Sequence, residues 1–103
     1  MSRIRSPPRG DFSKFKGMLN DLVGTRGAYI LDKSNNVLGK VPISELITSI
    51  RGLRDVNSLI LDGSIDRDLV SAAERAHIRN LVGTKSEVRS SDSRVNIITP
   101  GDF

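Results

Sequence analysis

The chain has no cysteine, no tryptophan and a single histidine in 103 residues. Without cysteine there are no disulfides, no thiolate nucleophile and no Cys-based zinc site, and the expectation is an intracellular, cytoplasmic protein. Aromatic residues make up only 4%, too few for a platform on which nucleobases stack. No apolar run approaches the roughly 20 residues that span a bilayer, so no membrane partner is expected. The N-terminus has no apolar signal-peptide core. What remains is a chain of one-domain length whose 37% hydrophobic content allows a modest core.

Positive charge is concentrated at one end. Residues 1–16 hold Arg3, Arg5, Arg9, Lys14 and Lys16 against Asp11, while the rest of the chain carries eleven basic and eleven acidic residues. The net charge of +4 therefore belongs to the first sixteen positions. "MSRIRSPPRG", with its prolines and glycine, reads as a flexible basic linker over residues 1–12, ahead of a folded domain over 13–103. A basic Pro-rich opening of this kind also looks like part of a longer chain. The sharper reading of the same residues is an arm that contacts RNA phosphates.

Hydrophobic periodicity supplies the elements. Phe15, Met18, Leu19, Leu22 and Val23 form one stripe of a helix over 11–24, capped by Asp11 or Ser13 and stopped at Gly24. "AYILDKSNNVLGKV" reads as a hairpin turning at Asn35 and Asn36. Ile43, Leu46, Ile47, Ile50 and Leu53 place a second helix over 42–53, with Pro42 in its first turn. "VNSLILD" is continuously apolar, as a central strand buried on both faces would be. A third helix (66–79), a strand "NLVGT", a polar loop "KSEVRSSDS" and a half-exposed edge strand "RVNIIT" complete the order α-β-β-α-β-α-β-β. The expected fold is a small single α/β (α+β) domain, with a mixed sheet of about five strands and about three helices. The strands flanking the third helix should be parallel.

Asp62, Asp66 and Asp68 cluster where the central strand gives way to the third helix. Carboxylates at such a strand end are a plausible magnesium station in phosphoryl transfer. Helix initiation accounts for two of them without function: Asp66 stands at an N-cap and Asp68 in a first turn. The partners that catalysis requires are not legible. No Gly-rich phosphate loop is present, and Ser44, Ser64 and Ser71 have no histidine at a recognisable station. His77 falls late in the third helix and reads as a helix residue.

Several short motifs recur together. Leu31-Asp32, Val41-Pro42, Glu45-Leu46, Leu61-Asp62-Gly63, Leu69-Val70, Ala72-Ala73 and Leu81-Val82-Gly83 resemble, in order and spacing, the C-terminal region of archaeal DnaG-type primase-like proteins. The likeness runs from about Phe15 to the end. It departs at Asp66 and Asp68, where the family has threonine and arginine, and near His77, where the family has glycine.

The resemblance implies a divided protein. Its primer-synthesising module is a Toprim domain that holds magnesium on a glutamate and paired aspartates and lies N-terminal to the matched region. Those motifs are not found in this sequence, "DRD" being the nearest approach. No cofactor is thus expected in this domain, and no catalysis by this chain.

Members of the family are also components of the archaeal RNA-degrading exosome, attached through its Csl-type cap subunit. The implied role here is a docking domain, with Tyr29, Val95, Ile97, Ile98 and Phe103 as candidate contacts at an edge strand. The alternative is an RNA-binding module acting through Arg3, Arg5, Arg9, Lys14 and Lys16.

Overall fold

The computed structural model describes residues 7–89 and 93–102, with side chains over 14–89 and 93–101. Helix α1 (Pro7–Leu22) buries Phe15, Leu19 and Leu22 along one side. It begins four residues before the expected start at Asp11, so residues 7–12 of the stretch read as a linker are helical. Prolines fit here because first-turn N–H groups have no intrahelical acceptor. Val23 falls outside the stripe and is 60% exposed, because the chain leaves the helix at Gly24 with φ +88°.

Strands β1 (Gly27–Leu31) and β2 (Val37–Pro42) form the expected antiparallel hairpin, with a bulge between Ile30 and Leu31. Asp32 builds its turn. One carboxylate oxygen accepts the N–H groups of Ser34 and Asn36, both at 2.9 Å, and Asn35 takes the left-handed φ of 63°. The second helix is shorter than expected. Pro42 ends β2 in extended conformation, and a 3-10 turn (Ile43–Glu45) leads into α2 (Leu46–Arg51). No side chain caps this start, so the chain tightens into i→i+3 bonds instead.

Next come β3 (Ser58–Leu61), the two-residue β4 (Ser64–Ile65), α3 (Arg67–Arg75), β5 (Asn80–Val82), β6 (Lys85–Ser86) and β7 (Asn96–Ile98). A 3-10 turn (Pro100–Asp102) follows. The five-stranded sheet runs β2-β1-β3-β5-β7, with β3 central and every residue of it buried. β1 pairs antiparallel with β2 and β3; β3, β5 and β7 are mutually parallel.

The sequence reading missed β4 and β6, which pair parallel as a separate small sheet. β6 occupies the start of the stretch expected to be loop. The two chains approach so closely there that a Cβ on Gly83 would lie 2.8 Å from the carbonyl oxygen of Gly63.

Side chains alternate between two cores. On one face α1 packs Phe15, Leu19 and Leu22 over Leu31, Ile60, Val82 and Ile98. On the other, α2 and α3 bring Leu46, Ile50, Leu69 and Ala73 against Ile30, Leu59, Leu61, Leu81 and Ile97. Full burial of each large aliphatic side chain contributes about 1.5–3 kcal/mol, so the double coverage explains the unbroken apolar run Leu59–Leu61 of β3. It also corrects the reading of the last strand. β7 is an edge strand, but Ile97 and Ile98 are 7% and 3% exposed because helices cover both of its faces.

Candidate functional site

The three acids do not converge. Asp62 follows β3 and turns back to the α1–β1 connection. Its Oδ2 accepts the N–H of Gly24 at 2.9 Å and that of Arg26 at 3.0 Å. Arg26, like Gly24, has a positive φ (54°), so the connection turns its N–H groups inward onto one carboxylate. Asp66 is the N-cap of α3 and accepts the Leu69 N–H at 2.8 Å, the role expected from the sequence. Asp68 is exposed on the first turn of α3 and faces a groove toward α2. Among the described residues no three His, Asp or Glu side chains gather as a metal site.

The hydroxyls and the histidine are also apart. Ser44 and Ser64 border a cleft of about 760 Å³ at the ends of β2 and β3, together with Arg26, Asp62 and Lys85. Ser71 lines the groove between α2 and α3, and His77 borders a different depression with Arg79 and Arg94.

His77 does not continue a helix to residue 79 as expected. α3 ends at Arg75 and His77 takes φ 60°, with its N–H on the Glu74 carbonyl at 3.2 Å. The Ile78 N–H reaches the Ala73 carbonyl at 2.9 Å. Together these make a Schellman ending with histidine where glycine is the usual residue.

Two clusters that the sequence reading did not single out are built on polar side chains. Glu74 Oε2 accepts the Ser93 hydroxyl at 3.1 Å and the Arg94 N–H at 3.0 Å, tying α3 to the approach to β7. These bonds, the Arg94 N–H foremost, hold the Glu74 carboxyl below its ordinary range. Asp32 is likewise held low, chiefly by the Asn36 N–H. Across the parallel strands, Asn80 donates to the buried Ser58 hydroxyl at 3.0 Å and accepts from the Asn96 amide at 3.0 Å. These three residues are direct partners in register, a signal visible only once the strands are aligned.

Of the expected contact residues, Val95, Ile97 and Ile98 are buried in the core. Tyr29 is half-buried on β1, with the Lys40 ammonium 5.8 Å from its ring centroid. Phe103 lies outside the described residues, as do Arg3 and Arg5. Arg9 falls within α1, and Lys14 and Lys16 are exposed on it, so this part of the basic charge belongs to a helix. Among the described residues no helix is long and apolar enough to cross a membrane.

No protein-family model matches the chain. It is 32% identical over 84% of its length to the DNA primase DnaG of Methanocella arvoryzae, of which it covers 18%. The DNA primase DnaG of Methanosarcina mazei is 32% identical over 78% of the chain, which covers 16% of that protein. For Caldivirga maquilingensis the values are 34%, 82% and 19%. The chain is thus similar to one segment of archaeal DnaG primases and spans less than a fifth of the length of these curated relatives.

Proposed function

We propose that the chain is a protein-interaction domain of a DnaG-type primase-like protein, docking it onto the RNA exosome through the Csl-type cap subunit in the cytoplasm. One observation carries this reading. The acids best placed for phosphoryl transfer are occupied in holding backbone N–H groups, Asp62 on Gly24 and Arg26 and Asp66 on Leu69. Those carboxylates serve the fold, one fastening the α1–β1 connection and the other capping α3. In this reading magnesium and primer synthesis belong to a Toprim module, and this domain contributes contacts. Because Val95, Ile97 and Ile98 are buried, a partner meets the exposed helices and loops rather than those side chains.

A second reading is RNA binding through Arg3, Arg5, Arg9, Lys14 and Lys16, favoured by the exposure of Lys14 and Lys16 on one helix. Phosphate contacts of this kind weaken steeply with salt. Isothermal titration of the chain against the purified cap subunit, at low and high salt, separates the two. Saturable binding that persists in high salt supports docking. No heat with the cap subunit, beside salt-sensitive RNA binding lost in Lys14→Glu/Lys16→Glu, overturns docking in favour of the RNA reading.

A further inference from the structure

α2 and α3 pack side by side, and a groove of about 580 Å³ runs between them. Its lining mixes apolar residues with Arg51, Asp68, Ser71 and Arg75. Ile50 is buried at the base, Ile47 is half-buried, and Ala72 and Ala76 of α3 are too short to fill the space above them. Leu53 stands at the rim, 42% exposed, one of few large apolar side chains in the described structure that face solvent to this degree.

The groove is also charged, and unevenly. Arg51 ends α2 and Arg75 ends α3; both line the groove and are exposed. Neither guanidinium is paired with a carboxylate among the described residues. Asp68, seven residues before Arg75 on α3, lies about 10 Å away along the helix at the other end. Two unpaired arginines beside an exposed leucine and the short side chains of Ala72 and Ala76 offer complementarity to a segment that is both apolar and acidic. RNA phosphate would gain from the arginines, but nothing in it would cover Leu53.

We propose that the α2–α3 groove docks an apolar segment of a partner protein whose carboxylates face Arg51 and Arg75 and whose aliphatic side chains cover Leu53. This rests on the docking reading above and gives it a surface. Arginines and large apolar groups seated in such a trough are the usual carriers of binding energy at an interface.

The test is titration of the purified cap subunit with the intact chain and with Leu53→Asp, Arg51→Glu/Arg75→Glu and Asp68→Asn. All four positions are exposed, and circular dichroism melting confirms that each variant is folded. Leu53→Ser replaces Leu53→Asp if the latter melts early. The expected result is binding by the wild type, weakened about tenfold or more by the leucine and the double arginine substitutions, and little changed by Asp68→Asn.

Wild-type binding that folded groove variants retain in full overturns the groove and leaves the docking reading standing. No binding by the wild type overturns both. A concentration-dependent dimer in sedimentation that Leu53→Asp abolishes, without effect on cap binding, assigns the groove to a second copy and overturns the proposal. So does loss of RNA binding alone in Arg51→Glu/Arg75→Glu.

Discussion

The carboxylate of Asp62 holds the backbone N–H of Gly24 at 2.9 Å, across 38 residues of chain. This bond, with its companion to Arg26, fastens the exit of α1 to the end of the central strand. Asp62→Ala leaves two N–H groups without their acceptor and should lower unfolding stability by about 1–2 kcal/mol. Asp62→Asn, which keeps one oxygen, should lose less. Urea denaturation measures both, and amide exchange at Gly24 and Arg26 should quicken in proportion. If magnesium were a ligand here, adding it would stabilise the wild type and not Asp62→Asn; no such difference is expected.

Asp66 acts on its own helix only. Replacing it with Ala should cost about 1 kcal/mol, while Ser or Thr should fall within a few tenths of the wild type. Aspartate, serine and threonine are then interchangeable at this position, which a comparison of their melting curves decides.

His77 occupies a left-handed conformation that costs a non-glycine residue roughly 1 kcal/mol. Its side chain is exposed. His77→Gly should therefore raise stability by at most about 0.5 kcal/mol once the extra entropy of the unfolded glycine is counted. A lower melting temperature would mean that the imidazole makes a contribution outweighing the backbone strain.

Glu74 gives the fold an acid-sensitive tie. Its carboxyl is held below its ordinary value of 4.5 by the Arg94 N–H and the Ser93 hydroxyl. A depressed value means that its stabilisation is complete above the unfolded value and drains away as pH falls through the folded one. Asp32 behaves the same way from its ordinary value of 3.8, through Asn36 and Ser34. Denaturation midpoints should fall as the solution is taken below about pH 4.5, and less steeply in Glu74→Gln than in the wild type. Parallel curves for the two would show that Glu74 is not a source of the slope.

Much of this architecture was legible where one pattern repeats over a full element. The spacing of Phe15, Leu19 and Leu22 marks a buried helix face, and the unbroken apolar run at Leu59–Leu61 marks a strand covered on both sides. Element ends were harder. Pro7 reads as linker until it is seen in a first turn, and His77 conceals a helix stop that a glycine would have advertised. β4 and β6, two residues each, are too short to show a period, and their approach needs Gly83, whose missing Cβ leaves room for the Gly63 carbonyl and the Ile65 side chain. The exposure of β7 could not be foreseen from its alternation, since it depends on where α1, α2 and α3 lie. At the candidate site, Asp66 was readable from its neighbours in sequence. The partners of Asp62 lie 36 and 38 residues away and were not. The groove between α2 and α3 depends on the alanines of one helix facing the arginine of another, a relation that neither helix announces alone.

The row Ser58–Asn80–Asn96 has a consequence for how this domain tolerates change in length. Each amide or hydroxyl reaches its neighbour only when the three parallel strands start level, so β7 is aligned at its first residue. The approach to β7 is moored once more, by the Glu74 carboxylate to Ser93 and Arg94. One residue inserted between Arg94 and Asn96 would slide β7 by a position, part Asn96 from Asn80 and turn Ile97 and Ile98 toward the opposite faces of the sheet.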